Sequence, residues 1–259
     1  MSDGTTDDAQ WYARERRGEG PPLVLLHGFG GDHTGWFTVL PRIKAASLAY
    51  DLPGHGLSLR APGAGKAGAM AKGLIADLDR RGIDRFHLAG HSMGGAVATL
   101  AAMRAPERVL SLALLAPGGF GSDIAYGVLE RWAAADSRPA IAKALRAMTA
   151  PGHETGAFEI GRVEANRRRP GQVAELKRIV TGLVDDRGKQ GTIPREHLAG
   201  LSPPTTLVWG DSDPVLSPRH ADGLDDAMRV LRLPGAGHML MEESARDVAR
   251  AIGEAMGRA

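Results

Sequence analysis

The chain has 259 residues, 43% hydrophobic and 24% charged, and its Lys+Arg and Asp+Glu nearly balance at a formal net charge of +2. That is the composition of a globular protein long enough to bury a sizeable core, in one domain with an elaboration. Without a single cysteine, disulfides, thiolate metal sites and a cysteine nucleophile are excluded.

Residues 1–10 are polar and acidic, with neither a basic nor an apolar stretch, so they do not read as a signal peptide. No apolar run approaches the roughly 18 residues of a membrane span, and a soluble, cytoplasmic chain is expected. Residues 10–16 alternate enough for one strand. Residues 22–26 are continuously apolar and end at His27-Gly28, the mark of a strand buried on both faces. A weaker strand over 46–50 runs into Asp51-Leu52-Pro53-Gly54-His55-Gly56. Met70, Leu74 and Leu78 stand at helical spacing within 66–81, and Gly82 stops that helix.

The next segment carries the chemistry. An alternating stretch, 85–89, leads into Gly90-His91-Ser92-Met93-Gly94-Gly95, and a run of small and apolar residues, 96–103, leads out. Strand, sharp turn and helix make G-x-S-x-G a candidate nucleophile elbow. Ser92 must sit on a strained turn, where side chains at 90 and 94 would collide with neighbouring backbone. Residues 111–115 form another buried strand. From 118 to 201 the rhythm breaks into helices near 123–135, 138–149, 155–168 and 171–184. The basic run Arg167-Arg168-Arg169 has no wider basic patch or aromatic ladder around it. It reads as a solvated helix face, and no nucleic-acid partner is expected. Strands over 204–209 and 229–233 follow. Residues 241–256 place Met241, Ala245, Val248, Ile252 and Met256 on one stripe of a helix. The expected architecture is α/β, a doubly wound and mostly parallel sheet built from 1–117 and 202–259. Residues 118–201 form a helical cap inserted between two strands, over the strands' carboxyl ends.

A serine hydroxyl is a poor nucleophile until a base takes its proton, and that base needs an orienting carboxylate. Both are supplied where strands end. Gly210-Asp211-Ser212-Asp213-Pro214 follows one strand, and Gly235-Ala236-Gly237-His238 follows the next. Asp213 is favoured over Asp211: Pro214 biases it to an extended backbone, whereas Asp211 looks like a turn residue. For the oxyanion, donors are expected from the backbone N–H of Met93 and from that of Phe29 in the glycine-rich loop His27-Gly28-Phe29-Gly30-Gly31. His27, His55, His87 and His91 read as structural. No metal-ligand spacing, G-x-G-x-x-G or Walker A stands in a suitable context, so neither metal nor cofactor is expected. Trp36 lines the pocket mouth or belongs to the core. Tyr126, Trp132, Leu145, Met148 and Phe158 include candidates for a pocket wall, against the alternative of cap core. Met239, beside His238, is a better pocket candidate. With 12 aromatics in the chain, an aliphatic acyl pocket is expected.

The set His27-Gly28-Phe29-Gly30, Asp51-x-x-Gly54-His55-Gly56-x-Ser58, Gly90-His91-Ser92-Met93-Gly94-Gly95, Gly210-x-x-Asp213 and Gly237-His238 resembles the α/β-hydrolase superfamily, from about residue 20 to the end. The chain order Ser, Asp, His is the order of that superfamily. Carried over residue by residue, the resemblance implies a Ser92–His238–Asp213 triad with Phe29 and Met93 amides as oxyanion hole. Leu115-Ala116-Pro117-Gly118-Gly119-Phe120-Gly121 and Gly237-His238-Met239-x-Met241-Glu242 are similar to the hydrolase-like domain of acetoin dehydrogenase acyltransferase subunits. No lipoyl domain is read ahead of it, and no role in such a complex is carried over. The family usually begins with a two-strand hairpin, so the first edge strand is expected to be short or missing. The implied function is a serine hydrolase cleaving a small-molecule carboxylic ester through an acyl-enzyme. The alternatives are a C–C bond hydrolase of β-diketone-like substrates, an acyltransferase with the same triad, and a non-catalytic ligand sensor.

Overall fold

The computed structural model describes residues 10–257; the acidic segment 1–9 lies outside the described residues. Seven strands form one sheet in the order β1-β3-β2-β4-β5-β6-β7. They are β1 (Ala13–Arg16), β2 (Leu23–Leu26), β3 (Ser47–Tyr50), β4 (Phe86–His91), β5 (Val109–Leu115), β6 (Thr205–Gly210) and β7 (Arg229–Leu233). All neighbouring pairs are parallel except β1 with β3. Strands β2, β3, β4 and β6 are buried at every position, as parallel strands covered on both faces must be. The edges β1 and β7 are only half-buried. A first edge strand is therefore present, as a single short strand: the Arg16 guanidinium ties it down by donating to the Leu40, Ile43 and Ala45 carbonyls.

Helix α1 (Ala67–Arg80) packs against α2 (Met93–Arg104), which connects β4 to β5. Between β5 and β6 come α3 (Tyr126–Ala134), α4 (Arg138–Arg146), α5 (Ala157–Arg167), α6 (Gln172–Thr181) and α7 (Arg195–Ala199). The single turn of α7 had no periodic signal, because five residues cannot show one. The C-terminal stripe is two helices rather than one, α8 (Leu240–Glu243) and α9 (Ala245–Met256). Ser244 separates them at φ −140° and ψ 40°, outside the helical region. Helix α9 still buries Val248 and Ile252 and packs on β5 and β6.

The expectation for Arg167 is overturned. Arg168 and Arg169 are exposed, but Arg167 is buried at 4% exposure. Its guanidinium lies over the Trp132 ring, 4.5 Å from the centroid, so the flat cation is stacked rather than solvated.

Candidate active site

Ser92 follows β4 and caps α2 at φ 52° and ψ −116°, a conformation that costs a non-glycine residue about 1–3 kcal/mol and persists only where its surroundings impose it. Here the Ser92 N–H donates to the Leu115 carbonyl at 2.9 Å, while the Ser92 carbonyl accepts from Gly95, Ala96 and Gly118. The flanking glycines permit the close approach. A Cβ at Gly94 would stand 2.5 Å from the carbonyl oxygens of Leu26 and His27, well inside any tolerated contact.

The strand ends β4 and β6 and the loop after β7 bring three side chains together. The Ser92 hydroxyl lies 3.0 Å from His238 Nε2, and His238 Nδ1 lies 2.8 Å from Asp213 Oδ2. An ionised carboxylate can only accept, so Nδ1–H donates and Nε2 keeps the lone pair that faces the serine. Asp213 Oδ1 accepts the Val215 and Leu216 N–H groups, and Oδ2 also accepts from Trp209 Nε1. Burial works to raise the Asp213 carboxyl. His238 and these donors outweigh it and hold the group below its ordinary value. Asp211 is exposed and accepts from the Gly235 N–H across a turn, so only one of the two aspartates reaches the histidine.

The loop His27 to Gly31 passes over Ser92: a Cβ on Gly28 would stand 3.2 Å from the Ser92 Cβ. His27 Nδ1–H donates to the Gly28 carbonyl, and its Nε2 accepts from the Leu52 N–H. His55 Nε2 accepts from the Gly30 N–H, and its Nδ1–H donates to the Pro53 carbonyl. Desolvation keeps all these rings neutral. It lowers His27, and it pushes His55 and His91 down to about 3. His91 donates to the His238 carbonyl. Asp51 anchors the same region by accepting from the His33 and Leu57 backbone. Among the described residues the Phe29 N–H donates to no group of the protein. Met93, first residue of α2, likewise has no intrahelical acceptor.

Two spaces open beside Ser92. One has a volume of about 430 Å³, in the range of small-molecule sites, and its wall includes Phe29, Met93, Ile124, Leu183, Ile193 and Leu216. The other, of about 40 Å³, is lined by His27, His91, Arg162, His238, Met239 and Glu242, with Met148 and Trp132 also on its wall. Met148 and Met239 thus reach the histidine side of the serine, and the Met148 carbonyl accepts the His238 N–H. Trp36 lines neither space: it is fully buried in the 3-10 turn His33–Thr38, so of its two assignments the structure favours core. Phe158 is exposed at 61% and Leu145 is buried in the core, and neither lines a space. An aliphatic pocket is expected from composition, but part of its wall is supplied by α2, whose spacing carries the signal. Met93, Ala96, Leu100 and Met103 all face the larger space and are spaced as one stripe of α2. Among the described residues no cluster of three metal-ligating side chains occurs, and no described helix is long and apolar enough to cross a membrane.

A family model described as alpha/beta hydrolase fold matches residues 21–245. The chain belongs to that family. As an alpha/beta hydrolase it is similar to the dihydrolipoyllysine-residue acetyltransferase component of the acetoin cleaving system of Pseudomonas putida. They are 36% identical over 244 residues, covering 92% of this chain and 64% of the relative, so the chain spans less than two thirds of that protein's length. Lipase 3 of a Moraxella species is 28% identical, with 93% of this chain and 79% of that protein covered. A solved meta-cleavage product hydrolase from Pseudomonas fluorescens IP01 superposes with a TM-score of 0.83 at 19% identity, over 96% of this chain and 94% of the other; that likeness is one of fold.

Proposed function

We propose that this alpha/beta hydrolase cleaves carboxylic esters with an aliphatic acyl group through a Ser92 acyl-enzyme. The observation that carries the reading is the hydrogen-bonded chain Ser92–His238–Asp213, opening on an aliphatic cavity of about 430 Å³. In the first step the Ser92 Oγ attacks the ester carbonyl carbon while its proton passes to His238 Nε2. The developing oxyanion takes hydrogen bonds from the Phe29 and Met93 N–H groups. The tetrahedral adduct then expels the alkoxide, which leaves with the proton from His238. Water enters, gives its proton to the same nitrogen, and attacks the acyl carbonyl; the carboxylic acid departs and Ser92 regains its hydrogen. Asp213 stabilises the imidazolium in both halves. Residues 118–201 act as the cap that closes the acyl side, over a core formed by the described residues of 1–117 and 202–259.

A second reading has one specific support, the similarity to an acetyltransferase component: the acyl group passes to a thiol instead of water. A panel of alkanoyl esters of graded chain length, with a 1,3-diketone and added dihydrolipoamide, separates the possibilities. Ester cleavage to free acid, abolished by Ser92→Ala, is the expected result. Acyl thioester as the main product would move the reading to transfer, and faster diketone cleavage would move it to C–C hydrolysis. Equal turnover by wild type and Ser92→Ala would defeat the acyl-enzyme reading.

A further inference from the structure

The two peptide groups that flank Phe29 carry four polar atoms, and the protein holds three of them. The Gly28 carbonyl accepts from His27 Nδ1 at 2.7 Å. The Phe29 carbonyl accepts from Trp132 Nε1 at 2.9 Å. The Gly30 N–H donates to His55 Nε2 at 3.0 Å. The fourth is the Phe29 N–H, which points to no protein acceptor among the described residues. One peptide further on, the Gly30 carbonyl accepts from Arg167 Nη1 at 2.9 Å.

These holds come from two different regions. His27 and His55 belong to the loops after β2 and β3, but Trp132 lies on α3 and Arg167 ends α5, 103 and 137 residues along the chain from their acceptors. The two side chains also support each other. The guanidinium stacks on the indole, and Arg167 Nε donates to the Ala135 carbonyl at the end of α3. Gly30 sits at φ 74° against the Nε1 edge of the indole, where a Cβ would overlap the Trp132 ring. Burial lowers the Arg167 guanidinium to about 10, which leaves it cationic at neutral pH. A buried cation is an expensive way to fill space when an apolar side chain of the same volume would pack there. Its hydrogen bonds to the Gly30 and Ala135 carbonyls are what an apolar residue could not supply.

We infer that Trp132 and Arg167 are positioning residues for acyl transfer: from α3 and α5 they fix the peptides that follow Phe29, so that its N–H is aimed before substrate arrives. The inference rests on the reading of Phe29 as an oxyanion donor. A preorganised donor stabilises the transition state because it needs no reorientation when charge develops. Loss of either holder frees the peptide it holds, and the motion reaches the preceding Gly28–Phe29 peptide through the Phe29 Cα, so the aim of the donor is lost while ground-state binding in the aliphatic cavity is kept.

The test compares Arg167→Met, Arg167→Lys and Trp132→Phe with Arg168→Met, an exposed neighbour on the same helix end. For a short alkanoyl ester, Arg167→Met should lower kcat by about 10–100-fold, the scale of a displaced catalytic group, with KM changed little. Trp132→Phe, which keeps a ring but removes the donor, should fall in the same direction. Arg167→Lys retains one donor to the Gly30 carbonyl and should recover part of the loss, which also covers the case in which the Met variant fails to fold. Affinity for an alkyl boronic acid, whose tetrahedral adduct on Ser92 resembles the oxyanion, should weaken in parallel with kcat. Affinity for the carboxylate product should stay constant. A purely structural role would lower melting temperature without separating those two affinities. Folded Arg167 and Trp132 variants with kcat and boronate affinity equal to those of Arg168→Met would overturn the inference. Turnover surviving in Ser92→Ala would instead remove the reading on which it rests, so the two failures are distinct.

Discussion

On one side of Ser92 lies a space of about 430 Å³ walled mainly by aliphatic side chains. On the other, about 40 Å³ is bounded by Trp132, Met148, Met239 and Met241 together with the hydrogen-bonding side chains His27, Asp32, His91, Arg162, His238 and Glu242. Those hydrogen-bonding side chains, the polar side of the serine, form a network in which His27, His91, Arg162 and His238 each have a protein partner, and a missing partner in such a network costs the full desolvation of the group left behind. The apolar side asks only for volume and hydrophobicity, which many side-chain combinations satisfy. On the proposed acyl-enzyme reading, substitutions on the two sides should therefore fail in different ways, one in chemistry and the other in acyl selectivity.

The sharpest contrast is between two buried carboxylates on the polar side. Asp213→Asn keeps the shape but reverses the hydrogen bond to His238, favouring the wrong tautomer. It should lower kcat by about 10⁴-fold, the loss found when a triad carboxylate is neutralised. Steady-state ester hydrolysis measures it. Glu242 bonds Arg162 at 2.9 Å rather than His238, and Glu242→Gln should leave kcat within a few-fold. A comparable loss in both variants would break the distinction between the two carboxylates.

On the apolar side, Ala96→Leu places extra volume in the wall made by α2. It should cut kcat/KM for octanoyl esters by about tenfold relative to acetyl esters, since one or two methylenes in a hydrophobic pocket are worth about 1–3 kcal/mol. A uniform loss across chain lengths would mean that this cavity does not take the acyl chain.

Smaller effects appear in stability. Burial pushes the Glu242 carboxyl up to about 7 despite the pull of Arg162, above the roughly 4.3 of an unfolded chain. The stabilising contribution of a group raised in this way is complete below about 4.3 and is lost as pH rises toward 7. Glu242→Gln should accordingly gain more in melting temperature over wild type at pH 8 than at pH 5; an equal or reversed difference would contradict the assignment. His27, His55 and His91 act in the opposite sense. All three are depressed by burial, His55 and His91 to about 3. Their stability is present above the unfolded value of about 6.5 and drains away as pH falls below it. Three such groups outweigh one glutamate, so the guanidinium midpoint should fall between pH 7.5 and pH 5.

The comparison also explains what could be read from the chain beforehand. The apolar runs of β2, β4 and β6 end in Gly-rich or Asp-bearing segments, and a parallel sheet delivers such ends to one place. Ser92, Asp213 and His238 were for that reason legible together. Arg167 was not, because a basic run on a helix looks alike whether it meets water or an indole, and only the placement of the Trp132 ring of α3 beside the end of α5 decides which. The break at Ser244 is invisible to periodicity for a similar reason: Met241 and Val248 stay on one stripe by spacing while the backbone between them leaves the helix. The walls of the 430 Å³ space come from α2, the Phe29 loop, the start of α1, segments between β5 and β6, and Val215 and Leu216 after β6, which are far apart in sequence, and volume has no sequence signature of its own.

The central claim, that Ser92 carries the acyl group, is tested most directly by rapid acid quench of the enzyme with a hexanoyl ester, followed by intact mass and peptide mapping. Hydrolysis through acyl-Ser92 should give one hexanoyl adduct per chain on the peptide containing Ser92, forming in a burst and decaying at a rate no slower than kcat. Undiminished turnover with no adduct on Ser92, or an adduct on another residue that decays at kcat, would contradict it.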